Sequence, residues 1–317
     1  MRLLKRRYLK YLAVLALALA AVECGGGSDV PDDGRVRVVT TIYPLNYMAG
    51  RVGGTDAEVD LLLGPGAEAH AFEPTTSDVQ RLAGAQLVVA NGLDLEPWLG
   101  RAIEGLSGDD RPVVLEAAAI EGFEPLEGAE AEDRNAEEAG HEIDPHVWLD
   151  PVLAQAMVER IRDALIEANP GATQGYTSRA QALIDDLAAI HADYQAGLAA
   201  CAHTHFVTTH AAYGYLAKRY GLEQIAITGV SAEAEPTPRD LADLTSRVRE
   251  LGLGHVLVEP SLGSRLAETV AAESGLDLLP IHQMESVTVD ELSQHGDYLG
   301  LMRDNLGSLK TALGCGG

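Results

Sequence analysis

Positive charge and cysteine are scarce in this chain. It carries 23 Lys and Arg against 48 Asp and Glu in 317 residues, a formal charge of −25. Nucleic-acid binding needs basic patches, so that class of partner is excluded. What the charge supplies is solubility and long-range attraction for cations. Only three cysteines are present, enough for one intramolecular bridge. There is no Gly-rich phosphate loop in a strand–helix setting, no nucleophile elbow and no HExxH helix. No tandem repeat is visible. The one long apolar run, residues 12–22, is too short at about 1.5 Å per residue to span a bilayer.

That run has the form of a secretion signal. Arg2, Lys5, Arg6, Arg7 and Lys10 precede it and Cys24 ends it. A cysteine there, followed by Gly25-Gly26-Gly27-Ser28-Asp29, resembles a bacterial lipoprotein. It implies an exported chain held at the membrane only through lipid on Cys24. Ordinary cleavage near residues 18–21 is the alternative, because Glu23 stands where a small residue is usual. With Cys24 lipidated, Cys201 and Cys315 remain as a candidate disulfide pair in an oxidising compartment. Their spacing does not say whether they meet.

Beyond a tether at 25–34, strand and helix patterns alternate. Strands are expected at 35–41, 58–63, 86–91 and 112–115, with helices at 43–52, 75–84 and 95–107 between them. A second alternating set follows. Strands at 206–209, 224–228, 255–259 and 276–281 interleave with helices at 211–220, 239–251 and 264–274, and a last helix covers 293–313. Such alternation implies βαβ units and a parallel sheet in each set. Between the sets lie a helix at 152–168 and a longer one at 174–200. The expected architecture is therefore α/β: a first lobe at 35–151, a helix pair at 152–200 and a second lobe at 201–317. The two lobes, each a mainly parallel sheet flanked by helices, are joined by a long rigid helix. Residues 121–142 hold nine carboxylates, one arginine and no apolar period, the composition of a mobile acidic loop.

The octet Asp144-Pro145-His146-Val147-Trp148-Leu149-Asp150-Pro151 follows this loop after Ile143. Each proline fixes its own φ and pushes the residue before it out of the helical region. His146 is thereby held in a stiff, non-helical segment. In open parallel sheets ligands bind beyond the carboxyl ends of the strands. His70 lies in the loop after the second strand, His210 directly after the strand at 206–209, and His282 directly after the strand ending at Ile281. Together with His146 they would line a cleft between the lobes, and imidazole is a preferred zinc ligand. Glu73, Glu259 and Glu285 stand near these histidines as supporting or alternative ligands. His191, inside the long helix, reads as a surface or packing residue. His203 and His205 open a strand rather than end one.

At these residues the sequence resembles the zinc- and manganese-type solute-binding proteins of bacterial ABC importers. The matching stretches are Val39-Thr40-Thr41-Ile42-Tyr43-Pro44-Leu45, Gly66-Ala67-Glu68-Ala69-His70-Ala71-Phe72-Glu73-Pro74-Thr75, the central octet, Val207-Thr208-Thr209-His210-Ala211-Ala212-Tyr213-Gly214-Tyr215-Leu216 and Val258-Glu259-Pro260. The resemblance covers essentially the whole chain beyond the signal. It implies a monomeric binding protein, not an enzyme, that carries a metal ion in the inter-lobe cleft to a membrane permease. The family's ligands carry over onto His70, His146 and His210, and histidine at position 210 is similar to the zinc branch. The fourth family ligand is commonly an aspartate after the last strand of the second lobe. Counted from Gly275, that position is His282, which implies either an all-histidine site or a fourth place left to water or Glu285. The expected cargo is Zn²⁺, with Mn²⁺ or iron the alternative, and neutral imidazoles imply affinity that falls as pH drops through roughly 6.5. A surface adhesin and a secreted metallohydrolase are the readings from other classes; the second lacks an assigned general base.

Overall fold

The structure is a computed structural model that describes residues 34–108, 111–127, 143–230, 237–260 and 265–316. Cys24, the tether up to residue 33, and His141 with most of the acidic loop lie outside the described residues.

The first sheet contains β1 (Val36–Thr40), β2 (Ala57–Leu61), β3 (Leu87–Ala90) and β4 (Val113–Glu116) in the order β2-β1-β3-β4, all parallel. Helices α1 (Tyr43–Gly53), α2 (Thr76–Gly84) and α3 (Leu99–Glu104) connect them. Pro44 sits in the first turn of α1, where its missing N–H has no partner to lose. Thr75 caps α2 in a reciprocal box with Asp78. The helix expected over 95–107 is shorter than its apolar spacing suggests. Leu93 and Asp94 have left-handed backbones, and Glu96 turns inward to accept hydrogen bonds from Asn91 N at 2.9 Å and Gly92 N at 3.0 Å. The chain reaches helical geometry only at Leu99.

The second sheet repeats the first: β5 (His205–Thr208), β6 (Glu223–Ala226), β7 (His255–Val258) and β8 (Asp277–Pro280) lie in the order β6-β5-β7-β8, again all parallel. The two lobes thus share one topology although no repeat shows in the residues. Helices α6 (Gly214–Tyr220), α7 (Pro238–Glu250) and α8 (Arg265–Ser274) link the strands. The expected single terminal helix is two, α9 (Val289–His295) and α10 (Tyr298–Leu313). Gly296, with φ of 86°, ends the first, and Asp297 caps the second by accepting from Gly300 N.

In chain order between the two sheets, α4 (Pro151–Ala168) and α5 (Thr173–Gly197) pack against each other. The 25 residues of α5 extend about 38 Å. Its buried face is Tyr176, Ala180, Leu183, Leu187, Ile190 and Tyr194, at the three- and four-residue steps of one helical stripe. Burial of each large side chain in that stripe contributes about 1.5–3 kcal/mol. Tyr194 donates its hydroxyl to Met302 O at 2.7 Å, fastening α5 to α10. His191 packs on Tyr220 and meets its hydroxyl at 3.0 Å, and His205 pairs with Glu223 at 3.0 Å. Both are accounted for structurally. Cys201 and Cys315 form a disulfide.

Candidate metal centre

The octet builds one wall of the site. Asp144 Oδ1 accepts from the backbone N–H of His146 at 2.9 Å and lies 2.8 Å from its ring Nδ1. Residues Val147–Leu149 make a single 3-10 turn, and Asp150 then caps α4 by accepting from Val152 N and Leu153 N. Arg219 donates to the other oxygen of Asp150 at 2.8 Å, tying the octet to α6 of the second lobe. His146 is fully buried, with Trp148 against it at 5.3 Å between ring centroids. Asp144 therefore claims Nδ1 and leaves Nε2 directed to whatever the site holds, the arrangement that orients a metal-binding imidazole.

His70 comes from the loop after β2, and its ring centroid is 5.4 Å from that of His146. The third group is Glu285. Its Oε1 lies 3.2 Å from His146 Nε2 and 3.6 Å from His70 Nε2. One ligand atom from each of these residues falls within 4.8 Å of the others. Four bonds of 2.0–2.1 Å directed tetrahedrally have donor–donor edges of about 3.3 Å, so these separations match a shared small cation. His210, two residues beyond the end of β5, has its ring 5.3 Å from that of His146 and lies outside the group of three converging ligand atoms. Its Nδ1 is 3.1 Å from Glu259 Oε1.

Burial makes this arrangement expensive without an ion. His70 Nε2, His146 Nε2, His210 Nδ1, Glu285 Oε1 and both oxygens of Glu259 are buried with no hydrogen-bond partner. Each such group costs on the order of 1–3 kcal/mol. A dication satisfies the convergent donors at once, and Glu285 with nearby Asp144 and Glu259 offsets its charge. Burial pushes the His146 imidazolium down, but the hydrogen bond to Asp144 and the charges of Asp144 and Glu285 outweigh it and raise its pKa to about 9. Burial pushes Glu285 up, yet His146 and then His70 hold its carboxyl well below the usual range. Without metal the pair is a buried ion pair, with the His146 proton standing where the cation would.

His282 stands outside this cluster among the described residues, and Glu285, the alternative expected for the fourth place, stands in it. The His282 backbone is pinned to α10 from both sides: His282 N donates to Asn305 Oδ1 at 2.7 Å, and Asn305 Nδ2 donates to His282 O at 2.7 Å. Its ring turns to Glu291 and His295 instead. The chain then reverses through Met284, whose φ of 68° is uncommon for a residue with a side chain, and delivers Glu285 to the first lobe. There Tyr43 N donates to Glu285 O at 2.8 Å, Trp148 Nε1 to Gln283 O at 2.7 Å and Ala69 N to Glu285 Oε2 at 3.4 Å. Glu73 is exposed and stands outside the cluster among the described residues. Asp144 and Asn305 were not singled out from sequence. The signal for Asp144 was its place two residues before a proline-locked histidine; Asn305 carried none.

Comparison with known proteins covers the stretch of chain that holds these residues. A family model described as zinc-uptake complex component A, periplasmic, matches residues 38–312. The zinc-binding lipoprotein AdcA of Streptococcus pneumoniae is 34% identical over 309 residues, 95% of this chain. The chain spans 61% of that relative's length. The high-affinity zinc uptake system protein ZnuA of Bacillus subtilis is 31% identical over 309 residues, covering 95% of this chain and 96% of the relative. Among solved structures, the Zn(II)-bound ZnuA-like domain of S. pneumoniae AdcA superposes with a TM-score of 0.75 at 32% identity, covering 88% of this chain and 99% of that one.

Proposed function

The chain belongs to the family of zinc-uptake complex component A, periplasmic, and from that premise we propose that it captures Zn²⁺ outside the cell membrane with His70, His146, His210 and Glu285. It acts as a monomer, held to the membrane by lipid on Cys24, and hands the ion to a cognate ABC-transporter permease. Members of this family are solute-binding transport proteins, not enzymes. The observation that carries the ligand assignment is the convergence of buried, unpartnered nitrogen and oxygen atoms from His70, His146 and Glu285. Three imidazoles and one carboxylate form a nitrogen-rich, four-donor set. Such a set favours zinc over manganese, which prefers more oxygen ligands, and its four protein donors leave no open position for a metal-bound nucleophile.

Competition tests the cargo. Purified metal-free protein titrated with Zn²⁺ in the presence of excess Mn²⁺ takes up zinc as if manganese were absent. Displacement of zinc by a tenfold excess of manganese sinks the zinc reading and revives the manganese one.

The pH dependence follows from His146. Zinc takes the Nε2 position only after the proton there leaves, while Nδ1–H stays on Asp144. With the pKa raised to about 9, His146 is protonated at neutral pH in the metal-free protein. Each unit of pH below about 9 therefore weakens binding about tenfold through this group alone. The loss begins well above the 6.5 expected for ordinary imidazoles. Calorimetric titration at pH 7.5 in buffers of different ionisation enthalpy should count about one proton released per zinc bound. No proton release, or affinity flat from pH 7 to 9, contradicts the buried ion pair.

A further inference from the structure

The segment that keeps His282 out of the main cluster places it in another. Helix α9 ends on His295, and the turn at Gly296-Asp297 folds α10 back so that Asp304 comes alongside. The rings of His282 and His295 lie 4.8 Å apart between centroids, inclined at 54°. Each turns Nδ1 to a carboxylate: His282 Nδ1 is 3.5 Å from Glu291 Oε1, and His295 Nδ1 is 2.7 Å from Asp304 Oδ2. An imidazole whose Nδ1 is held by a carboxylate is set up to coordinate through Nε2. Two such dyads face one another here.

We infer that His282 and His295, oriented by Glu291 and Asp304, form a second site for a zinc-like divalent transition-metal cation, weaker than and separate from the one bearing Glu285. Both imidazoles contribute Nε2, and water or a carboxylate oxygen completes the coordination. The frame is already fixed. The other oxygen of Glu291 accepts from Thr288 N at 2.8 Å and Thr288 Oγ1 at 2.7 Å, closing the cap of α9. Asn305 holds the His282 backbone by two hydrogen bonds. His282 is buried, whereas His295 and Asp304 keep 27% and 49% of their side chains exposed, so an ion enters from solvent on the His295 side. Burial, followed by the neighbouring His295, holds the His282 imidazolium below its ordinary range, which leaves a lone pair available at neutral pH. The surrounding net negative charge raises local cation concentration.

Equilibrium dialysis of the full chain against Zn²⁺ tests this. The wild-type protein should bind two zinc ions, one tight and one weaker. His295→Gln should bind one, with the tight site's affinity unchanged, and Asp304→Asn should weaken the second ion about 10–100-fold. In His146→Ala, which removes a proposed ligand of the tight site, the weaker ion should remain. Long-range proton–nitrogen spectra should show the ring nitrogens of His282 and His295 moving with the second equivalent only. A single zinc per wild-type chain that His295→Gln still binds overturns the inference. So does a second zinc that survives His295→Gln and leaves both rings unmoved, because that ion sits elsewhere on the surface. Loss of the tight ion alone from the wild-type chain would refute the cleft site and leave this one standing.

Discussion

Glu285→Gln lowers zinc affinity at the tight site by about a hundredfold or more, whereas His282→Gln leaves it within about threefold. The first figure is the upper end of what loss of an outer-shell partner costs, and direct loss of a charged donor exceeds it. Glutamine keeps the size of Glu285 and its backbone tie to Tyr43, so the change isolates the carboxylate charge. It also removes one of the two carboxylates that hold the His146 proton. Binding that remains in the variant should therefore depend less steeply on pH near neutrality, because zinc then displaces a weaker proton. His282 touches none of the convergent donors, and its loss affects the Glu285 segment only through the Asn305 anchor, which is to the backbone. Competition against a chromophoric chelator, with circular dichroism to confirm folding, gives both affinities. Equal losses in the two variants would restore His282 to the tight site; an unchanged Glu285→Gln would remove the carboxylate from it.

The contrast between these two residues shows where sequence reasoning reaches and where it stops. The lobes are legible because strand and helix periods alternate and because local signals such as Pro44 and Thr75 start helices where the chain needs them. His146 is legible for a similar reason: its stiffness comes from prolines beside it. The choice between His282 and Glu285 is made by tertiary contacts. Asn305, 23 residues further on, grips the His282 backbone, and a left-handed Met284 turns the next residue across the cleft. A non-glycine residue in that conformation costs on the order of 1–3 kcal/mol and carries no sequence signal. The shortened α3 has the same origin, since Glu96 reads as helical but is drawn inward by backbone donors of the preceding turn. Gly296-Asp297 was a legible stop and start that the helical period on either side obscured.

The disulfide carries the largest expected effect on stability. Cys201 follows α5, where the chain enters the second lobe, and Cys315 follows α10, the last helix of that lobe. The bond is flanked by Ala202 N to Gly314 O, His203 N to Leu313 O and Gly316 N to Ala200 O, so it seals a short seam between the two ends of one lobe. It closes a separation of 114 residues. Constraint of so long a loop in the unfolded chain is worth up to about 4–5 kcal/mol in the chain-entropy account, and removal of native bridges costs about 2–5 kcal/mol. The double variant Cys201→Ser/Cys315→Ser, free of metal, should lose stability in that range. At about 2 °C per kcal/mol for a chain of this size, its Tm falls by roughly 4–10 °C. The loss should be local in character. Amides of β5 to β8 should exchange faster while those of β1 to β4 keep their protection, because the seam belongs to the second lobe alone. Zinc binds only the folded form and offsets part of the loss by mass action, so the difference in Tm narrows as free zinc rises above its dissociation constant. A drop below 2 °C in the metal-free protein, or faster exchange spread evenly over both sheets, would mean that the packing of α10 on α5, anchored by Tyr194, holds the second lobe closed without the bond.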